Sequence, residues 1–240
     1  MNDRAQPRTP PIDPIERAAP WQRGLVVAAL LCAVIVALMP EAALQNRIFL
    51  VPDATAWESF ASVGRESLEA GEYPLWNPYV FCGMPSYPSQ MYTPWVYPVS
   101  FVTSMLHRHA GFPELGWLLI HYLIAGLGMY LLCRSLGLRW SLSTLAGALF
   151  ILLPNFVAIG AHGHGSQACA IAWMPFALLL SRRLFRGERR AVTAPLLALV
   201  LGVQMLRGHI QISYYTFLIT GTVFVWETIL SLRGGDRRAA

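Results

Sequence analysis

The sequence of 240 residues contains no lysine; all 18 of its basic side chains are arginine. Charge of either sign is scarce, at 13% of residues, against about 25% in a soluble domain. That shortage excludes an ordinary water-facing surface. The net charge of +5 would admit nucleic acid, but the arginines sit beside apolar runs, which fits topology control and argues against a nucleic-acid partner. The four cysteines, Cys32, Cys82, Cys133 and Cys169, show neither CxxC nor Cys/His spacing, which removes a disulfide framework and a zinc site. Three of them lie in or next to apolar runs and read as small hydrophobes. No Walker loop, GxSxG elbow, HExxH or Rossmann glycine pattern is present. Most soluble-enzyme classes go with them.

What remains is apolar: 55% of residues are hydrophobic and the mean hydropathy is +0.45. This composition predicts an all-α polytopic membrane protein. Apolar runs of membrane length fall at 24–44, 114–133, 140–160, 168–185, 191–207 and 211–231, so about six transmembrane helices are expected. The first follows a polar, proline-rich stretch too long for a secretory n-region and reads as an uncleaved signal anchor, although "EAAL" offers a weak cleavage site. Residues 1–22 are expected to form a disordered cytoplasmic tail, 23–233 the transmembrane domain, and 234–240 a second short tail.

Arginine counts orient the spans. Arg4, Arg8, Arg17 and Arg23 precede the first span; Arg134 and Arg139 flank the turn between the second and third; Arg182, Arg183, Arg186, Arg189 and Arg190 form a cluster; Arg233, Arg237 and Arg238 close the chain. With the N-terminus inside and six spans, all four groups fall on the cytoplasmic side. The 45–112 loop, "GAHGHGSQ" at 160–167 and "RGHIQ" at 207–211 then share the opposite face. Within the loop, Thr55 and Glu58 can form a capping box for an interfacial helix that ends at Gly71 and Pro74. "MYTPWVYPVSFVTSMLHRH" reads as a second interfacial segment.

Several residues on that face could carry chemistry. Asp53, just beyond the first span, could serve as a base, bind a metal, or simply cap a helix. The stretch "GEYPLWNPYVFCGMPSYPSQ" at 71–90 holds four prolines and five aromatics and should be stiff without a β ladder. Trp76 and Tyr79 offer flat faces suited to sugar rings or to lipid headgroups, and Asn77 and Gln90 offer amides suited to hydroxyl-rich ligands. His162, His164 and Gln167 lie at one outer helix entry, and Arg207, His209 and Gln211 at the other outer turn. Four readings stay open for them: a divalent metal held by three histidines, phosphate or hydroxyl contact, interfacial snorkelling, and helix capping. Arg207 favours an anion, because it breaks the positive-inside trend. His121, inside the second span, reads as an interhelical hydrogen-bonding group; Glu114 and Glu227 read as boundary residues.

The run "GEYPLWNPYVFCGMP…Q" behind an acid, with "GHGSQACAIAWMPFALLL" and "RGHIQISYYTFL", resembles the bacterial YfhO family, in order and approximate spacing across about residues 48–220. The resemblance implies a GT-C-like glycosyltransferase of the bacterial inner membrane. Such enzymes transfer sugar from a polyprenyl-phosphate-linked donor, here to a cell-envelope acceptor, with Asp53 as the loop acid: a general base or ligand of an assisting metal. The donor's lipid would lie between helices, in contact with membrane lipid. His162, His164, Arg207 and His209 would steady the departing phosphate. A second acid is not evident; Glu58 stands nearest. Family members are several times longer, so this chain is expected to match an N-terminal portion. The alternatives are a non-catalytic lipid-carrier binding or transport module, and a partial protein that needs its missing half.

Overall fold

The computed structural model describes residues 14–51, 62–86 and 96–233. Regular structure begins inside the expected tail. Helix α1, Pro14–Arg17, precedes α2, Pro20–Leu38. Proline suits the first turn of α2, where its missing N–H has no intrahelical partner to lose. The same chemistry ends the helix: Pro40 opens α3, Pro40–Leu44, and the residue before it, Met39, leaves the helical region at φ −134° and ψ 59°. The expected single run 24–44 is thus two helices.

Residues 62–69 are helical (α4) and stop at Gly71, whose φ of +80° closes the turn. The next segment is not ladder-free, as its prolines suggested. A two-residue antiparallel pair forms, β1 (Trp76–Asn77) against β2 (Met84–Pro85), with Trp76 opposite Pro85. Proline is tolerated because this is an edge on both sides. Helix α5, Pro98–Ala110, follows.

The bundle proper comprises α6 (Gly116–Ser135), α7 (Trp140–Ile151), α8 (Pro154–Ala161), α9 (Gly165–Phe185), α10 (Arg190–Leu206) and α11 (Ile210–Arg233). Four helices among the described residues, α2, α6, α9 and α11, are long and apolar enough to cross a membrane; α7 and α8 make a fifth if their 43° bend at Pro154 lies within one span. At 17 residues α10 is apolar but shorter. The chain is therefore an all-α membrane protein with four or five candidate spans.

Helix α6 is the hub, packed against α2, α7 and α9, while α9 in turn carries α10 and α11. Two glycines let α6 and α7 approach closely. A Cβ at Gly147 would lie 2.6 Å from the Gly126 carbonyl oxygen, a backbone atom that cannot rotate away. Val27, Leu31 and Ile35 recur at four-residue spacing along α2 and bury one stripe against Leu118, Leu119, Tyr122 and Ile151.

The two ends of the bundle differ in charge. At one end the Glu16 carboxylate accepts from Arg23 (3.0 Å), Arg134 (3.0 Å) and the Trp140 backbone N–H (2.9 Å). The Trp140 hydrogen bond, with Arg134 and Arg23, holds the Glu16 carboxyl below its ordinary range, although partial desolvation opposes this. Glu227 of α11 meets Arg182 of α9 (3.4 Å) and Arg186, the C-cap of α9 (3.8 Å), at the same end. The opposite end gathers the start of α6, the α8–α9 turn and the α10–α11 turn. There the Asn46 side-chain oxygen accepts from the Glu114 backbone N–H at 2.7 Å, closing the two ends of the long loop.

Candidate functional site

The polar end is organised around Tyr97, the residue before α5. Its hydroxyl accepts from the Trp173 indole N–H at 2.8 Å and lies 2.5 Å from His121 Nε2. His121 Nδ1 lies 2.5 Å from the Trp117 carbonyl oxygen. A carbonyl can only accept, so Nδ1 carries the proton, Nε2 accepts, and Tyr97 donates to it. The chain of bonds thus has one direction, from indole to phenol to imidazole to backbone. Burial pushes the Tyr97 phenol above its ordinary value, and the nearby Cys169 acts in the same sense. The hydroxyl therefore stays protonated and remains a donor. His121 is completely buried and satisfied on both nitrogens, one partner being on its own helix and the other on the loop.

Arg207, the C-cap of α10, stacks over two of these aromatics. Its guanidinium carbon is 5.5 Å from the Tyr97 ring centre and 5.8 Å from that of Trp117. The side chain is half-buried, and among the described residues its buried Nε has no hydrogen-bond partner. Among the described residues it forms no ion pair. Aromatic faces hold the cation in place without cancelling its charge. The Cys169 thiol of α9, fully buried, lies beside both His121 and Arg207.

His209 shares this corner. Its Nδ1 accepts from the Ile212 backbone N–H (3.3 Å), so it caps α11. Desolvation lowers its pKa below the ordinary 6.5, and the neighbouring His164 and Arg207 charges lower it further, against its own backbone hydrogen bond. His209 is therefore neutral at physiological pH. His164 is the exposed N-cap of α9. Gly165 follows because a side chain there would collide with the Trp117 ring.

The remaining expected site residues divide. His162 is exposed and its Nδ1 is engaged by the Ala158 carbonyl oxygen (2.8 Å) at the end of α8. Gln211 donates to the Tyr215 hydroxyl (2.9 Å) one turn further along α11. Gln167 lines a groove of about 390 Å³ that runs down α9 between Asn155 and Ile159 on one side and Ile212 and Tyr215 on the other. Asn77 is buried and its side-chain oxygen accepts from the Tyr79 N–H (3.0 Å), an Asx turn internal to the hairpin. Trp76 and Tyr79 are exposed on the hairpin. Asp53 and Gln90, with Thr55 and Glu58, lie outside the described residues. Among the described residues no group of three or more His, Cys, Asp and Glu side chains is arranged to hold a metal.

The structure thus joins Arg207, His209 and His164 and sets His162 and Gln211 to local tasks. Sequence reasoning missed Tyr97, Trp117 and Trp173. Trp117 and His121 stand four residues apart, one above the other on a helix face. That pairing was visible; the arrival of Tyr97 from the loop was not. No family model, curated protein or solved structure matches the chain.

Proposed function

We propose that the chain is the membrane-embedded N-terminal portion of a GT-C-like glycosyltransferase of the YfhO type. On this reading it has six spans, with α10 as one of them, and lies in a bacterial inner membrane with its N-terminus cytoplasmic. It takes a polyprenyl-phosphate-linked sugar and delivers the sugar to an extracytoplasmic acceptor. The observation that carries the lipid-phosphate part is Arg207, a cation held by Tyr97 and Trp117 whose buried Nε has no partner among the described residues. A phosphate oxygen is the natural acceptor for such a donor. His209, neutral in the free protein, would gain a proton as the anion arrives and add a second contact. The groove along α9 beside Gln167 offers an apolar path for the carrier's tail from that corner into the bilayer. The sugar-transfer part rests on the family resemblance and on Asp53. The acceptor oxygen attacks the anomeric carbon, the carbon–oxygen bond to phosphate breaks, the phosphate carrier leaves with that electron pair, and the acceptor's proton passes to Asp53.

A non-catalytic lipid-carrier module is the second reading, favoured by a corner that supplies a cation and aromatics but, among the described residues, no acid. One pair of variants separates the two. With the full chain in vesicles and polyprenyl phosphate as probe, Arg207→Gln should weaken binding about 10–100-fold, the worth of a charged hydrogen bond. Asp53→Asn should leave binding intact and abolish sugar transfer. Transfer absent from the unmutated chain, with binding present, would favour the module. Unchanged binding in Arg207→Gln would refute the phosphate site for both.

A further inference from the structure

The hairpin in the long loop exposes more apolar surface than its setting in water would explain. Leu75, Trp76, Tyr79 and Phe81 are 64%, 55%, 76% and 85% exposed. No charged residue occurs from Tyr73 to Ser86. The hairpin is fixed at both ends: Ser86 N–H donates to the Leu75 carbonyl (2.9 Å) at the base, Gly83 N–H to that of Val80 (2.8 Å) in the turn, and Asn77 and Ser86 are buried. The Trp76 ring lies on Gly83 so closely that a Cβ there would fall 2.5 Å from it. This is a rigid platform, not a loose loop.

Its backbone is also strained at the tip. Phe81 and Cys82 both adopt left-handed conformations, at φ 52° and 61°. That region is costly for any side-chain-bearing residue, and for a bulky aromatic it is a clear outlier. The strain presents Phe81 outward, where water penalises it a second time. Two penalties at one residue imply an apolar phase that offsets them. The loop leaves the bundle beside α3 and returns at α5 and α6, whose N-terminal ends are tied back by the Asn46–Glu114 and Tyr97–His121 bonds. The apolar phase continuous with that end of the bundle is the bilayer. Tryptophan and tyrosine, each with a polar tip, are the side chains that favour its headgroup layer.

We infer that the exposed face of the hairpin, residues 75–82, is a membrane wedge that inserts Leu75, Trp76, Tyr79 and Phe81 into the headgroup region of the leaflet adjoining the polar end. Trp76 and Tyr79 then face lipid rather than a sugar ring. The inference does not rest on the lipid-phosphate reading and survives its failure.

Cys82, exposed at the tip, supplies the probe position. Cys32 and Cys133 are replaced by serine, and Cys169 stays because it is fully buried. An environment-sensitive fluorophore is attached at Cys82 of the full chain in phosphatidylcholine vesicles. Expected are blue-shifted emission, quenching by lipids spin-labelled near the headgroup, and iodide quenching several-fold weaker than for a label at Arg65→Cys on α4. Phe81→Ser with Tyr79→Ser should return the Cys82 label to iodide. Iodide quenching equal at 82 and 65, without quenching by spin-labelled lipid, would overturn the wedge. Shielding that disappears when the protein is diluted in excess lipid would also overturn it, in favour of a second copy as the partner. A label at Tyr79→Cys repeats the measurement should modification at 82 disturb the turn.

Discussion

Tyr97→Phe removes one oxygen and breaks two bonds of a directed chain. His121 Nε2 loses its donor in a completely buried site, and the Trp173 N–H loses its acceptor in a partly buried one. Hydrogen bonds between membrane helices average only about 0.6 kcal/mol, because the unfolded chain in lipid finds other partners. A buried group left unsatisfied costs more, about 1–3 kcal/mol. His121 falls in the second class and Trp173 nearer the first, which together give about 1.5–3 kcal/mol. For a chain of this length that corresponds to a fall in Tm of about 3–12 °C. The assay is thermal unfolding in detergent of the unmutated protein, Tyr97→Phe, His121→Leu and the double variant. Because both substitutions act on one bond, Tyr97→Phe should cost about 0.5–1.5 kcal/mol less when His121 is already absent. Costs that add to within about 0.4 kcal/mol would show that the two residues do not share the bond, and would refute the loop anchor.

Gly147→Ala should destabilise the protein by about 1–3 kcal/mol, measured by the same melts, because its Cβ meets the Gly126 backbone. Gly126→Ala, whose new methyl meets the movable Ile151 Cδ1 at 2.6 Å, should cost less; the reverse order would contradict the α6–α7 crossing. Glu16 has a depressed carboxyl, so its stabilisation is present at neutral pH and is lost as pH falls below the ordinary 4.5 toward the lower folded value. Glu16→Gln should therefore melt lower at pH 7 and lose part of the acid dependence in that window; an unchanged acid limb would sink the claim. His209 is a base held neutral, so the unfolded chain binds the proton more readily and stability falls as pH drops below about 6.5. Polyprenyl phosphate should reverse that trend by binding more tightly as His209 protonates, and His209→Asn should flatten the pH profile of binding between about 5 and 7.

Helix positions were legible because apolar runs of membrane length have few other uses. The expected runs at 114–133, 168–185 and 211–231 fall within a few residues of α6, α9 and α11. The breaks were written in the sequence too, at Pro40 and Pro154, but hydropathy averaged over a window passes through a single proline. The gathering of Arg207, His164 and His209 followed from span parity alone, since alternate turns of an up-and-down bundle meet at one end. Which of the histidines would be engaged locally did not follow. His162 turns to its own helix because the Ala158 carbonyl, which also accepts the His162 backbone N–H (2.9 Å), lies one turn behind it within reach of Nδ1. The Tyr97 anchor was invisible for a different reason. It depends on where a long loop returns, and no periodicity in the loop encodes that.

How each arginine is neutralised separates the two ends more sharply than the count of arginines. Arg23 and Arg134 share the Glu16 carboxylate and Arg182 and Arg186 share that of Glu227, so each pair has one counter-ion. Arg207 faces aromatic rings instead. An aromatic quadrupole stabilises a cation without supplying a counter-charge, and among the described residues the Arg207 Nε has no partner. A half-buried guanidinium in that state carries part of the desolvation penalty without the compensation of a counter-ion. The two rings that hold it are themselves pinned, Tyr97 by His121 and Trp173 and Trp117 by its place in α6. The anchor of the loop and the poise of the cation are therefore one device. On the proposed function, Tyr97→Phe should weaken polyprenyl phosphate binding to the protein in vesicles even though the phenol hydroxyl need never touch the ligand.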